Sequence, residues 1–188
     1  HSCPPLFDVH LYRDQESCFG FNNRINKLLE NKPDITKVFL VSTWLQAEDE
    51  LTSSSTSRPT REGSINIFKK QFHLTIRHLH ELEKKVYIWE PVPGAKENVP
   101  KAMAKSVLIN QPTDLMFQRK EYQTTFKFFF DELEKEKQFV ENSFSPSKAL
   151  CESGFCKVSI KGIPLYYDNA HISKSSSKFW AKNLSSQL

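Results

Sequence analysis

The chain has 188 residues, of which 38% are hydrophobic, 12% aromatic and 26% charged, with a formal net charge of +4 at pH 7. That is the length of one ordinary domain with enough aromatic residues for a core, and no stretch reaches the roughly 20 apolar residues of a membrane helix. A dispersed positive excess argues only weakly for nucleic acid or an anionic membrane, so no nucleic-acid partner is expected; with 5 Gly there is neither a GxGxxG turn nor a phosphate-binding loop, and no cofactor is expected.

Phe21, Ile25, Leu28 and Leu29 recur at helical spacing and predict a first helix that Pro33 ends. The run Lys37-Val38-Phe39-Leu40-Val41 predicts a short buried strand leading into Ser42-Thr43-Trp44. From Ala47 to Gly63 the chain turns polar, which predicts a solvent loop or a mobile lid at 47–63. Ile65, Phe68, Phe72, Ile76 and Leu79 mark a second helix, and Val86-Tyr87-Ile88-Trp89 the next strand. Pro91, Pro93, Gly94 and Pro100 predict an ordered loop without regular structure. Tyr122, Phe126, Phe129, Phe130 and Leu133 mark a third helix, with Glu132, Glu134 and Glu136 alternating with Lys135 and Lys137 on a solvated face. Phe139-Val140 is a brief third strand. An extended stretch through Ile160 and Leu165 then leads to a final polar helix around Phe179 and Trp180. Alternating strands and helices predict a parallel sheet covered by helices, in a single domain spanning 1–188.

Four cysteines fall into two local groups, Cys3 with Cys18 and Cys151 with Cys156. Three pairings are possible and sequence alone does not choose among them; the local one is simplest, and it places the chain in an oxidising compartment. The rival reading is a zinc site made of Cys151, Cys156 and His171. It lacks a CxxC spacing, so no metal is expected. His73 and His80 are seven residues apart on one helix face, with His78 beside them, and no carboxylate convincingly completes a metal site there.

In open parallel sheets ligands bind beyond the carboxyl ends of the strands. The segments expected there are Ser42-Thr43-Trp44, Glu90-Pro91-Val92-Pro93 and Tyr167-Asp168-Asn169-Ala170-His171. The last is the sharpest. Asp168 and His171 are three residues apart, so one turn aims both side chains into one cleft; the carboxylate then sets the imidazole's tautomer and leaves its other nitrogen free as a base. The bland alternative is a plain Asp-Asn turn before a helix.

A longer series of motifs weighs against the bland alternative. Cys3-Pro4-Pro5-Leu6 is followed by Cys18, Phe21-Asn22, a strand ending at Trp44, Pro91-Val92-Pro93 with Val99-Pro100, the pair Cys151 and Cys156, and Gly162-Ile163-Pro164-Leu165-Tyr166-Tyr167-Asp168-Asn169-Ala170-His171-Ile172-Ser173. In this order they resemble the SGNH-hydrolase-like domain fused to membrane-bound acyltransferases of the type 3 family, over nearly the whole chain.

The resemblance implies a three-layer α/β/α fold, flavodoxin-like, and O-acylation, commonly O-acetylation, of a cell-surface glycan such as lipopolysaccharide. It implies a serine nucleophile, with His171 as general base and Asp168 orienting it. Trp44 becomes a candidate at the acceptor site, with packing as its alternative role. The partners implied are a glycan acceptor and an acyl donor delivered by a membrane acyltransferase domain upstream. The place implied is the periplasmic face of an inner membrane. The family's nucleophile belongs to a Gly-Asp-Ser motif before Cys-Pro-Pro-Leu, and none of the five glycines here is followed by Asp-Ser. The chain starts at His1, with Met103 and Met116 both internal, so it is expected to begin after the first strand and the nucleophile. A carbohydrate esterase of the same fold and a non-catalytic glycan-binding or scaffolding domain are the rival functions.

Overall fold

The computed structural model describes residues 3–12, 17–54, 58–110 and 115–185. In chain order the elements are β1 (His10–Leu11), α1 (Ser17–Asn31), β2 (Lys37–Leu40), α2 (Gln46–Asp49), β3 (Leu51–Thr52), α3 (Arg61–Glu81), β4 (Lys85–Trp89), α4 (Val99–Leu108), β5 (Phe117–Gln118), α5 (Arg119–Thr125) and α6 (Lys127–Glu136). They continue with β6 (Val140–Phe144), α7 (Pro146–Leu150), β7 (Cys151–Glu152), β8 (Phe155–Cys156), β9 (Ser159–Ile160), β10 (Ile163–Pro164) and α8 (Ser177–Ser185). They divide into two compact units: His1–Trp89 with Lys127–Ser143, and Glu90–Phe126 with Phe144–Leu188. The boundary is crossed more than once by the chain, which is why no linker composition marks it in the sequence.

The first unit is built on a sheet of order β2-β4-β6, with β2 and β4 parallel and Val38 beside Val86. Its core is aromatic. Phe68 and Phe72, one turn apart on α3, meet Phe128 and Phe129 of α6, with ring centroids 5.2–6.2 Å apart. Thr60 caps α3 by accepting the Gly63 N–H at 3.0 Å. The Cys-Pro-Pro-Leu segment is held by the Cys3–Cys18 disulfide and by Asn22, whose buried amide donates to the Pro4 and Leu6 carbonyls at 2.8 Å each.

The second unit carries a small sheet of order β5-β8-β7 and the β9–β10 hairpin. The Cys151–Cys156 disulfide joins paired residues of β7 and β8. The local pairing of cysteines is therefore the one the structure shows.

Several expectations need correction. β2 is not buried. It lies at one edge of its sheet, and while Leu40 is covered, Phe39 and Val41 are 54% and 56% exposed. An unbroken apolar run hides the period of two by which a half-covered strand shows itself. The polar stretch at 47–63 holds α2 and β3, with Leu51 fully buried and β3 paired to β1; its residues 55–57 lie outside the described residues. Val99-Pro100 opens a helix rather than extending a loop, because the early helix positions do not need the N–H that proline lacks. The single third helix is two, α5 and α6, broken at Phe126.

The glutamates of α6 do not share a solvated face. Glu132 and Glu136 are buried, and Glu136 accepts from His73 at 2.7 Å and from Arg77 at 3.0 Å. His73 therefore does have a carboxylate partner, from a helix distant in sequence.

Candidate active site

The site is a loop of the second unit closed on itself by backbone pairing. Tyr166 and Ile172 form an antiparallel bridge, and the Tyr167 N–H donates to the His171 carbonyl at 2.8 Å. Its base is buried and bonded. Ser173 donates its hydroxyl to the Pro164 carbonyl and its N–H to the Leu165 carbonyl, while Ser176 bonds the Leu165 carbonyl and receives the Trp180 indole N–H at 2.9 Å. The family-like string from Gly162 to Ser173 is thus a hairpin stem below a tight loop.

Asp168 organises the tip. Its Oδ1 accepts the N–H groups of Ala170 and His171, both at 2.8 Å, which is an Asx-type turn. Its Oδ2 faces His171 Nδ1 at 2.7 Å. Burial pushes the Asp168 carboxyl up, but the backbone N–H groups of His171 and Ala170, with the His171 ring behind them, outweigh it and hold the group at about 2. The carboxylate is therefore ionised at ordinary pH and acts as acceptor only. It follows that Nδ1 carries the proton and Nε2 of the neutral ring is the free base. The His171 side chain is 61% exposed, so that nitrogen is open to a reactant.

The loop is laced to the segment after β4. Ala95 N–H donates to the Asn169 carbonyl at 2.7 Å, and Val99 N–H to the Asp168 carbonyl at 3.0 Å. A Cβ at Gly94 would stand 3.3 Å from the Asn169 oxygen, so glycine permits this close approach. Tyr166 donates its hydroxyl to the Pro93 carbonyl, and Tyr122 donates to the Pro91 carbonyl at 2.9 Å. Burial pushes both phenols up, so both stay neutral donors. Pro91-Val92-Pro93 is thereby pinned from below.

The structure brings Asp168 and His171 within 2.7 Å of each other, because both lie in one local turn. Sequence reasoning missed Gly94, Tyr122 and Tyr166 as supports; their signal was the proline-rich segment itself, whose free carbonyls need donors. Trp44 belongs to the core of the first unit. It is 1% exposed, adopts a left-handed φ of 60° at the end of β2, packs on Phe72 and Phe129, and donates its indole N–H to the Trp89 carbonyl at 2.8 Å. Among the described residues no group of three or more His, Cys, Asp or Glu side chains is placed to hold a metal ion. No serine, threonine or cysteine side chain among them bonds the His171 ring.

An exposed histidine whose tautomer is set by a carboxylate has the arrangement that a general base needs. The chain belongs to the family whose model is described as "SGNH domain (fused to AT3 domains)", which matches residues 1–185. A solved structure with the same fold is the periplasmic domain of a Salmonella ser. Paratyphi A lipopolysaccharide acetyltransferase, at a TM-score of 0.69 and 20% identity, covering 98% of this chain and 68% of that one. No curated protein matches the chain significantly. No helix among the described residues is long and apolar enough to cross a membrane.

Proposed function

We propose that this chain is the catalytic-domain portion of an O-acyltransferase that acylates a hydroxyl of a cell-surface glycan on the extracytoplasmic side of a membrane. The observation that carries the reading is the 2.7 Å Asp168–His171 contact with the ring exposed. Family membership and the fold shared with a lipopolysaccharide acetyltransferase domain support it.

In this reading His171 Nε2 takes the proton of a serine hydroxyl as the serine oxygen attacks the donor's acyl carbonyl. The tetrahedral oxyanion collapses, the donor's leaving group departs with the proton from His171, and the acyl group rests on the serine. A glycan hydroxyl then attacks, giving its proton to His171, and the serine is released with that proton. Asp168 stabilises the imidazolium in both halves. The serine comes from the segment that the family motif puts ahead of Cys3-Pro4-Pro5-Leu6. Water in place of the glycan hydroxyl turns the same cycle into ester hydrolysis.

The test is acyl transfer to glycan in cells by the intact protein. His171→Ala is expected to abolish it, and normal acylation by that variant sinks the reading. The 188-residue chain alone is expected not to hydrolyse an aryl acetate; turnover that disappears with His171→Ala would place the nucleophile inside this chain instead. Comparing turnover with and without acceptor glycan separates transferase from esterase.

A further inference from the structure

The Asp168–His171 loop is attached to a helix whose far end carries three consecutive exposed apolar side chains. The N-terminus of α4 meets the loop through Val99 N–H to the Asp168 carbonyl. Ten residues later, about 15 Å along the axis, the helix ends in Val107, Leu108 and Ile109, which are 79%, 85% and 50% exposed. This end is capped by its own backbone. Ile109 N–H reaches the Lys105 carbonyl at 3.0 Å, and Asn110 takes the left-handed conformation (φ 50°) that closes helices. Three adjacent large apolar side chains are thus held out by a capped helix.

Charge surrounds the tip in a defined way. Lys105 and Lys101 lie three and seven residues before Leu108, on the same face, one and two turns back. Both are exposed, and among the described residues neither is paired with a carboxylate. Between Glu97 and Asp114 the sequence holds no acidic residue. Lys96 is different, since Glu121 lies 3.8 Å from it.

We propose that the C-terminal tip of α4 is a membrane-interface anchor: Val107, Leu108 and Ile109 enter the lipid surface while Lys105 and Lys101 rest among anionic headgroups. An apolar tip with cations a turn or two behind it matches the polarity gradient of a bilayer surface, and lysine stems reach upward to keep the ammonium in the headgroup layer. Among the described residues the tip offers three large apolar side chains, a small area beside the roughly 800 Å² that a specific protein interface buries on each side. Lipid sets no such minimum. The anchor would hold the Asp168–His171 loop one short helix above the membrane. It does not depend on the acyl-transfer reading.

The test is flotation of the 188-residue chain with vesicles of phosphatidylglycerol in phosphatidylcholine, beside vesicles of phosphatidylcholine alone. The chain is expected to float with the anionic vesicles. Lys101→Gln with Lys105→Gln should weaken partition roughly 30-fold, the sum of two lysines at an anionic surface. Val107→Ser, Leu108→Ser and Ile109→Ser together should weaken it more than roughly 100-fold. All five side chains are exposed, so an unchanged melting curve identifies folded variants, and either set suffices if the other fails to fold. Absence of flotation overturns the proposal, as does flotation that the serine variant leaves intact. Binding only to vesicles that carry the membrane acyltransferase domain would show a protein partner and overturn it too. None of these readouts measures acyl transfer, so the anchor can fail while the catalytic assignment stands.

Discussion

Two carboxylate–histidine pairs of this protein have the same geometry at the contact and opposite surroundings. Asp168 meets His171 Nδ1 at 2.7 Å, and Glu136 meets His73 Nδ1 at 2.7 Å. The first is local, three residues apart, with its carboxylate oriented by two backbone N–H groups and its ring 61% exposed. The second joins α3 to α6 across 63 residues, with its carboxylate 6% exposed and already shared with Arg77, whose guanidinium lies 3.7 Å over the Phe139 ring. A short carboxylate–imidazole contact therefore does not by itself mark a catalytic base. What separates the two is where the protein puts its constraint. In the loop it orients the acid and leaves the imidazole open; between the helices it buries the acid and braces it with His73 and Arg77.

The sharpest way to break this contrast is activity. In the intact protein His171→Ala should abolish glycan acylation, and Asp168→Asn should lower it by about four orders of magnitude, as a mis-set tautomer does in other triads. His73→Ala should leave it near wild type. A large loss from His73→Ala, with the fold intact by circular dichroism, would erase the distinction.

Stability should show the reverse order. Glu136→Ala removes an acceptor from His73 and Arg77 together, and should cost about 2 kcal/mol, since hydrogen bonds to charged groups contribute about 1.5–3 kcal/mol. The His73 and Arg77 side chains left behind are 46% and 40% exposed and regain water, which keeps the loss below that of a fully buried broken pair. Asp168→Ala should cost less than half as much, its loop being exposed. Urea unfolding of the variants measures both, and equal losses would contradict the assigned roles.

The contrast also explains what the sequence could and could not show. Asp168 and His171 were legible because their partnership is one turn long. Glu136 and His73 were not, because nothing in either helix announces a partner 63 residues away, and the alternation of Glu and Lys in α6 suggested solvent on a face that helical geometry does not group. Helices with a clear apolar stripe, α1 and α3, were read close to their observed ends. α4 was missed because Pro100 was read as a breaker where it serves as a starter. The exposed edge of β2 was hidden by its own apolar composition.

A smaller effect tests how tightly the loop must be held. Gly94→Val would press a branched side chain on the Asn169 carbonyl, already 3.3 Å from an added Cβ. The neighbour is backbone, so the loop rather than a side chain must give. Displacements of this kind far from the reacting atoms can cost up to about 100-fold; roughly 10-fold in kcat/KM is expected here, with the melting temperature little changed. An unchanged rate would show that the Asp168–His171 turn keeps its geometry without the Pro91–Val99 segment.

The smallest expected effect is a titration, and it separates the pairs by pH. Asp168 is held at about 2 in the folded chain against an ordinary 3.8. Burial opposes this, and the His171 and Ala170 N–H groups with the His171 ring overcome it. Its folded value is depressed, so the sign is fixed. The stabilisation is full above the ordinary value, and is lost as pH falls through the window from about 4 to about 2, where the unfolded chain takes up a proton before the folded one. Asp168→Asn keeps an oxygen for the two N–H groups but removes the charge and the titration. The difference in melting temperature between the wild-type chain and Asp168→Asn should thus be constant above pH 4 or so and shrink below it. Glu136 is also lowered, by His73 and Arg77 acting against burial, so Glu136→Gln should narrow its own gap to wild type in acid. The Asp168 effect should be the smaller, because that carboxylate is 27% exposed and solvent screens it. A gap for Asp168→Asn that holds constant to pH 2 would mean the turn does not stabilise the carboxylate. The fixed tautomer on which the base assignment of His171 depends would then lose its physical cause.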